Sequence, residues 1–177
     1  MIIGLSGYAQ SGKDTVARIL VENYGFSRIA FADIIRVACY RLNPIVTYDG
    51  MRLAHLVDLE GWEIAKTLPE VRRLLQVMGS EVGRDMIDPQ IWIELTLGNS
   101  KKTDNIVISD VRFKNEAEEI KWRQGQIWRI SRIEKDAPIN AHRSESDMDS
   151  WNFDHYISNN GTIDELHEEV NKIWKTL

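Results

Sequence analysis

Near the start of the chain, Gly7-Tyr8-Ala9-Gln10-Ser11-Gly12-Lys13 fits the pattern G-x-x-x-x-G-K. Glycines at that spacing let the backbone wrap closely, so that N–H groups point at phosphate oxygens. A lysine directly after the second glycine brings positive charge to a phosphoryl group in transit. The mechanism requires the loop to lie between a strand and a helix, because the helix N-terminus adds the positive end of its dipole. Ile2 to Leu5 is a short apolar run, and Val16, Ile19 and Leu20 recur at helical spacing between Lys13 and Asn23, so that context is present. The expected phosphate-lining residues are Gly7, Gln10, Ser11, Gly12, Lys13, Asp14 and Thr15. The plainer alternative is a glycine-rich turn carrying an exposed lysine, and the strand–loop–helix context argues against it.

One position departs from the pattern. A Ser or Thr whose hydroxyl binds magnesium ordinarily follows the lysine, whereas here Asp14 does, with Thr15 next. A carboxylate at that point either binds the metal, directly or through water, or only caps the helix. Two further acid–arginine pairs come at the ends of apolar runs. Phe31-Ala32-Asp33 with Arg36 follows the second run, and Ile108-Ser109-Asp110-Val111-Arg112 continues the third. In a parallel sheet those ends are the ligand-binding edge, where carboxylates suit metal binding and arginines suit phosphate clamping. Asp14 and Asp110 are therefore the metal candidates. Asp33 is the candidate to accept a proton or orient an acceptor phosphate. Helix capping by Asp33, and a turn pairing Asp110 with Arg112, are the structural alternatives.

These residues need a scaffold to position them. Ile2–Leu5, Phe26–Phe31, Ile106–Ile108 and Ile127–Ser131 read as short buried strands, with a fifth over His155–Ile157. Helices read over Lys13–Asn23, closed by Gly25, and over Asp33–Arg41. Residues 52–99 are mostly helical in pattern, with Asp88-Pro89 as a helix start. Asn115 opens another helix, Gly125 ends it, and the Thr162-Ile163-Asp164-Glu165 capping box opens the last. Strands alternating with helices predict an α/β fold with a mainly parallel sheet. Residues 132–150 are polar and read as a mobile flap.

Composition narrows the class. The chain has 177 residues with 43% hydrophobic and 28% charged, which excludes wholesale disorder and favours one domain. A net charge of −5 argues against a protein built to grip a nucleic acid polymer. Cys39 is the single cysteine, so no internal disulfide and no Cys-based zinc site is expected. The four histidines show no paired ligand spacing. No apolar run approaches a membrane span and no basic leader opens the chain, so the expectation is a cytoplasmic protein with no membrane partner.

Taken together, several strings resemble the bacteriophage deoxynucleoside monophosphate kinases. They are Phe31-Ala32-Asp33 with Arg36; Leu74-Leu75-Gln76-Val77-Met78-Gly79 with Glu81, Gly83-Arg84 and Trp92; Ile108-Ser109-Asp110-Val111-Arg112-Phe113-Lys114-Asn115-Glu116; and Asn159-Asn160-Gly161-Thr162 before Leu166. The resemblance runs over nearly the whole chain, and Asp after the loop lysine is common in such kinases. It implies transfer of the γ-phosphoryl group of ATP, with Mg²⁺, to a deoxynucleoside monophosphate in phage DNA precursor synthesis. It also implies a single P-loop NTPase-type three-layer domain, with a five-stranded parallel sheet, a helical monophosphate-binding insertion (42–99) and a lid (132–150). Kinases of this type are often dimers, which adds a homodimer to the expectations. Lys13, Asp33 and Arg132 are then the catalytic candidates, and Arg132 and Arg143 join the ATP-binding set. Asp33, Arg36, Arg73, Arg84, Trp92, Asp110 and Arg112 are the acceptor-binding candidates. Trp92 either stacks on a base or packs in the core. Two other readings remain open: a small-molecule kinase similar to dephospho-coenzyme A kinase, and a nucleotide-binding regulatory or assembly ATPase.

Overall fold

The computed structural model describes residues 1–98, 104–133 and 146–177. The chain forms two compact units, Met1–Ala30 with Asn99–Leu177, and Phe31–Gly98.

The first unit is built on a five-stranded sheet in the order β2-β3-β1-β4-β5. Its strands are β1 (Ile2–Ser6), β2 (Ser27–Ile29), β3 (Ile106–Ile108), β4 (Gln126–Ser131) and β5 (His155–Ser158). Every pairing is parallel, with Gly4 against Ile108 on one side of β1 and against Ile127 on the other. Parallel strands need crossovers that cover both faces, so β1 and β3 are wholly buried, and only Ser6 at the end of β1 is polar. One face carries α1 (Lys13–Tyr24) and α7 (Ile163–Trp174), whose Val16, Ile19, Leu20, Leu166 and Val170 pack with Ile3, Leu5, Val107, Trp128 and Ile130. The other face carries α6 (Lys114–Trp122). Gly4 is required there, because a Cβ would come within 2.8–2.9 Å of Val111, Ile120 and Ile127. This is the three-layer α/β arrangement expected. The chain reverses its winding at β1, between β3 and β4, so the loop leaving β1 emerges at the switch point where ligands bind.

The second unit is helical. It comprises α2 (Phe31–Leu42), α3 (Leu53–Ala65), α4 (Pro69–Val77), a π-helix (Met78–Ile87) and α5 (Ile91–Leu97). Cys39, Val46, Leu53, Leu56, Ala65 and Val71 form its core. Gly61 breaks the regular path of α3 at φ +76°.

Several boundaries differ from the sequence expectation. β2 stops at Ile29 and α2 starts at Phe31, which is buried, so Asp33 lies in the first turn of a helix rather than just past a strand. Asn115 does not open α6. The helix starts at Lys114, and Glu116 reaches back to accept from the N–H groups of Arg112 (2.7 Å) and Phe113 (3.0 Å). Asp88-Pro89 forms a turn instead of the first helical residues: Asp88 Oδ1 accepts from Gln90 N at 2.7 Å, and α5 begins at Ile91. Within the expected flap, 146–150 are tied down. Asp147 Oδ2 accepts from Lys114 N at 2.8 Å, and Met148 is buried. Residues 134–145 of that flap lie outside the described residues.

Candidate active site

The loop between β1 and α1 follows the path its sequence predicts. Gly7 has φ +153° and Gly12 has φ +105°. A Cβ on Gly7 would overlap the carbonyl oxygen of Ile130, and one on Gly12 would overlap the Asn159 side-chain amide. Both positions therefore need glycine for conformation and for space. Gln10 is left-handed too, at φ +62°. The turn is closed by Ser11 N donating to Tyr8 O at 3.2 Å. Gly12 caps α1 without a side-chain acceptor, so no side chain of the cap competes for the first-turn N–H groups, and an anion is their natural partner.

Lys13 folds back over this cradle. Its Nζ donates to Gly7 O at 2.6 Å and to Tyr8 O at 2.7 Å. The ammonium is thus held at the rim of the loop by its own backbone, a short movement from any phosphate the loop accepts. Ser11 is 1% exposed, and its Oγ has no hydrogen-bond partner among the described residues. A buried hydroxyl left this way costs about 1–3 kcal/mol, which a ligand oxygen recovers on binding.

Three groups outside the sequence motif fix the loop. Asn159, just after β5, donates from Nδ2 to Ser11 O at 2.9 Å, while its own N–H bonds Ser131 O at 2.8 Å. Arg129, paired in register with Ser6, spreads under the Tyr8 ring at 4.7 Å from its centre. Asp149 accepts from both Tyr8 Oη (2.7 Å) and Arg129 Nη2 (3.1 Å). Sequence reading missed Arg129 and Asp149 as well as the side chain of Tyr8. The available signal was an arginine inside the apolar run Ile127-Trp128-Arg129-Ile130.

Among the described residues, no three His, Cys, Asp or Glu are grouped to hold a metal. Mg²⁺ keeps several waters and binds through one or two carboxylates plus phosphate oxygens. Asp14 is exposed in the first turn of α1, Thr15 is half-buried beside it, and Asp110 is half-buried past the end of β3. These oxygens fit a nucleotide-borne ion. Arg112 is half-buried two residues beyond Asp110. Arg132 is exposed at the end of β4, and Arg143 lies outside the described residues.

The helical unit presents its candidates differently. Asp33 Oδ1 accepts from Arg36 Nη1 at 3.3 Å on the first turn of α2. Arg73 is exposed and bidentate to Glu70 at 2.7 and 2.8 Å, an arrangement that raises the guanidinium pKa and lowers that of the carboxyl. Arg84 is 4% exposed on the π-helix, and its Nη1 donates to Pro89 O at 3.1 Å. Trp92 takes the core-packing alternative. It is 3% exposed, its Nε1–H donates to Gly79 O at 2.9 Å, and its indole fills the space a Gly83 side chain would take. The ring is consumed by packing against the π-helix, so no face of it is open to a base.

Three comparisons set the chain beside known proteins. The deoxynucleotide monophosphate kinase family model matches residues 51–170. The chain belongs to this family. A relative from Acanthamoeba polyphaga mimivirus, named "Putative deoxynucleotide monophosphate kinase", is 30% identical over 195 aligned positions, covering 96% of this chain and 94% of the relative. Among solved structures, shikimate kinase from Aquifex aeolicus aligns with a TM-score of 0.48 at 15% identity, covering 99% of this chain and 97% of that one. Dephospho-CoA kinase from Campylobacter jejuni aligns at 0.47 and 16%, covering 99% and 96%. As a member of the deoxynucleotide monophosphate kinase family, the chain is a nucleotide-binding P-loop kinase. No described helix is long and apolar enough to cross a membrane.

Proposed function

We propose that the protein transfers the γ-phosphoryl group of ATP to a deoxynucleoside monophosphate. The observation that carries the proposal is the glycine-shaped loop, with Lys13 poised over it, in a chain of this family. An oxygen of the acceptor's 5′-phosphate attacks the γ-phosphorus, the bond to the β–γ bridging oxygen breaks, and ADP leaves with that electron pair. Such a transfer asks little covalent chemistry of the protein, and positioning and charge neutralisation dominate. Lys13 exchanges its two carbonyl partners for phosphate oxygens and offsets the charge that builds on them. Loop N–H groups and the start of α1 hold the donor phosphates. Asp14 and Asp110 are assigned to the nucleotide's Mg²⁺, which supplies further charge neutralisation, and Arg112 and Arg132 add cationic charge.

The acceptor is assigned to Asp33 and Arg36. Asp33 orients Arg36 by their ion pair, so that the guanidinium keeps donors for a phosphate. Arg73 is left out, since a phosphate would have to displace both of its bonds to Glu70.

The test is kcat/KM with ATP for the deoxy and ribo forms of every nucleoside monophosphate, with dephospho-coenzyme A and shikimate as controls. The proposal expects turnover of at least one deoxynucleoside monophosphate well above every control. Turnover of a control alone would overturn it.

A further inference from the structure

The charged cluster beneath the phosphate loop has no part in the transfer just described, yet it is built with care. Arg129 leaves β4 at the position in register with Ser6, the last residue before the loop. Its side chain is 14% exposed and lies between two rings, 4.7 Å from the centre of Tyr8 and 5.3 Å from that of Phe153. Nη1 donates to Ser6 Oγ at 3.4 Å, and Nη2 donates to Asp149 at 3.1 Å. The Tyr8 hydroxyl donates to the same carboxylate oxygen at 2.7 Å. Burial first, and then the Asp149 carboxylate, push that hydroxyl's pKa above its ordinary value, so it remains a donor at neutral and mildly alkaline pH. The main-chain carbonyl of this same Tyr8 is one of the two oxygens that hold Lys13.

We propose that Arg129, Tyr8 and Asp149 form a positioning latch for the phosphate loop, holding the Ser6–Tyr8 entry so that the Gly7 and Tyr8 carbonyls place Lys13 for the phosphates of ATP. The inference rests on the reading that this loop binds ATP. Asp149 has a second task in the latch. It neutralises Arg129, a guanidinium beside a phosphate site that would otherwise compete with Lys13 for the ligand. Asp149 belongs to a strap fixed at two other points, by Asp147 on Lys114 N at 2.8 Å and by Asp154 on Ile127 N at 2.7 Å. Neither hydrogen bond is made to the loop. Asp154 therefore offers a comparator that loosens the strap without opening the latch.

The experiment measures the dissociation constant of MgATP by titration calorimetry, together with the melting temperature and steady-state kcat and KM. The full-length proteins compared are wild type, Tyr8→Phe, Asp149→Asn, the double variant, Arg129→Met and Asp154→Asn. Tyr8→Phe and Asp149→Asn should each weaken ATP binding about 3–10-fold and lower kcat. The double variant should lose much less than the product of the two, because both remove one shared bond. Arg129→Met should lose more than either. If it does not fold, the other two carry the test. Asp154→Asn should lower the melting temperature yet change ATP binding less than about twofold. Unchanged binding in both Tyr8→Phe and Asp149→Asn overturns the latch, and so does an equal loss in Asp154→Asn. ATP binding needs no acceptor, so the outcomes separate. A wild type that binds ATP but phosphorylates no deoxynucleoside monophosphate sinks the proposed function and leaves the latch to its own result. A wild type that binds no ATP overturns both.

Discussion

The two units of this chain treat their charged residues in opposite ways. In the sheet unit the key groups are over-determined. Lys13 sits on two carbonyls, the loop is pinned by Asn159, and Arg129 is boxed by two rings and a carboxylate. In the helical unit the candidates are looser or differently occupied. Arg36 meets Asp33 at 3.3 Å across one turn, Arg73 is exposed against Glu70, and Trp92 is spent on packing. Under the proposed assignment, donor phosphates, the same for every turnover, reward a preformed cradle, whereas an acceptor site built from single helical turns lets side chains change partners.

The sharpest way to break this comparison is Lys13→Ala. If the sheet unit alone supplies the charge compensation, kcat should fall by about 10²–10³-fold or more with the melting temperature little changed, read by steady-state kinetics and thermal denaturation. A folded variant with near-normal turnover would place the essential charge elsewhere.

Glycine substitutions test the preformed cradle next. Gly12→Ala forces a Cβ onto Asn159 at φ +105°, whereas Gly61→Ala, at φ +76°, meets nothing within 4 Å. Both carry backbone strain of about 1–3 kcal/mol. Only Gly12→Ala should also weaken ATP binding, by about tenfold or more, as calorimetry would show. Equal ATP affinity in the two variants would mean that the loop is not a rigid cradle.

Two substitutions in the helical unit sharpen the other side. Arg36→Ala should raise KM for the acceptor about tenfold and leave KM for ATP nearly unchanged, the signature of a lost ground-state contact. Trp92→Phe removes the indole bond to Gly79 and should cost about 1–3 kcal/mol of stability in denaturant titrations. Acceptor KM should stay within about twofold, because the ring has no open face. A large change in base preference would restore Trp92 to the binding surface.

The smallest expected effect concerns Cys39. It is buried in the helical core, and burial pushes its thiol up to about 11. The thiol therefore stays protonated and shielded through neutral pH, and iodoacetamide at pH 8 should leave it unmodified in the folded protein and modify it after unfolding. Rapid modification of the native protein would show that the helical unit opens readily.

Much of the sheet unit was legible in the sequence because its signals are local. A strand–loop–helix junction carries its own glycines, and a capping box such as Thr162 with Glu165 lies within four residues, as Glu165 N donating to Thr162 Oγ1 at 3.2 Å confirms. Boundaries slipped where burial, or a choice between neighbouring polar side chains, decided them. Buried Phe31 reads as the end of a strand but opens α2, and Glu116 rather than Asn115 closes the start of α6. The role of Trp92 was undecidable from spacing alone, since the π-helix that presents Gly79 O and Gly83 to it has no periodicity that an α-helical reading detects. Arg129 and Asp149 were missed for a related reason, because their meeting depends on the register of β4 against β1 and on the strap that follows.

The central claim is that the loop at Lys13 delivers the γ-phosphoryl group to a deoxynucleoside monophosphate, and the fate of that group tests it most directly. With ATP labelled at the γ-phosphate, a panel of deoxynucleoside monophosphates, and Mg²⁺, the wild-type protein should move label into a deoxynucleoside diphosphate, and Lys13→Ala should leave it on ATP. Label released only as inorganic phosphate, or transferred equally well by Lys13→Ala, would contradict the account.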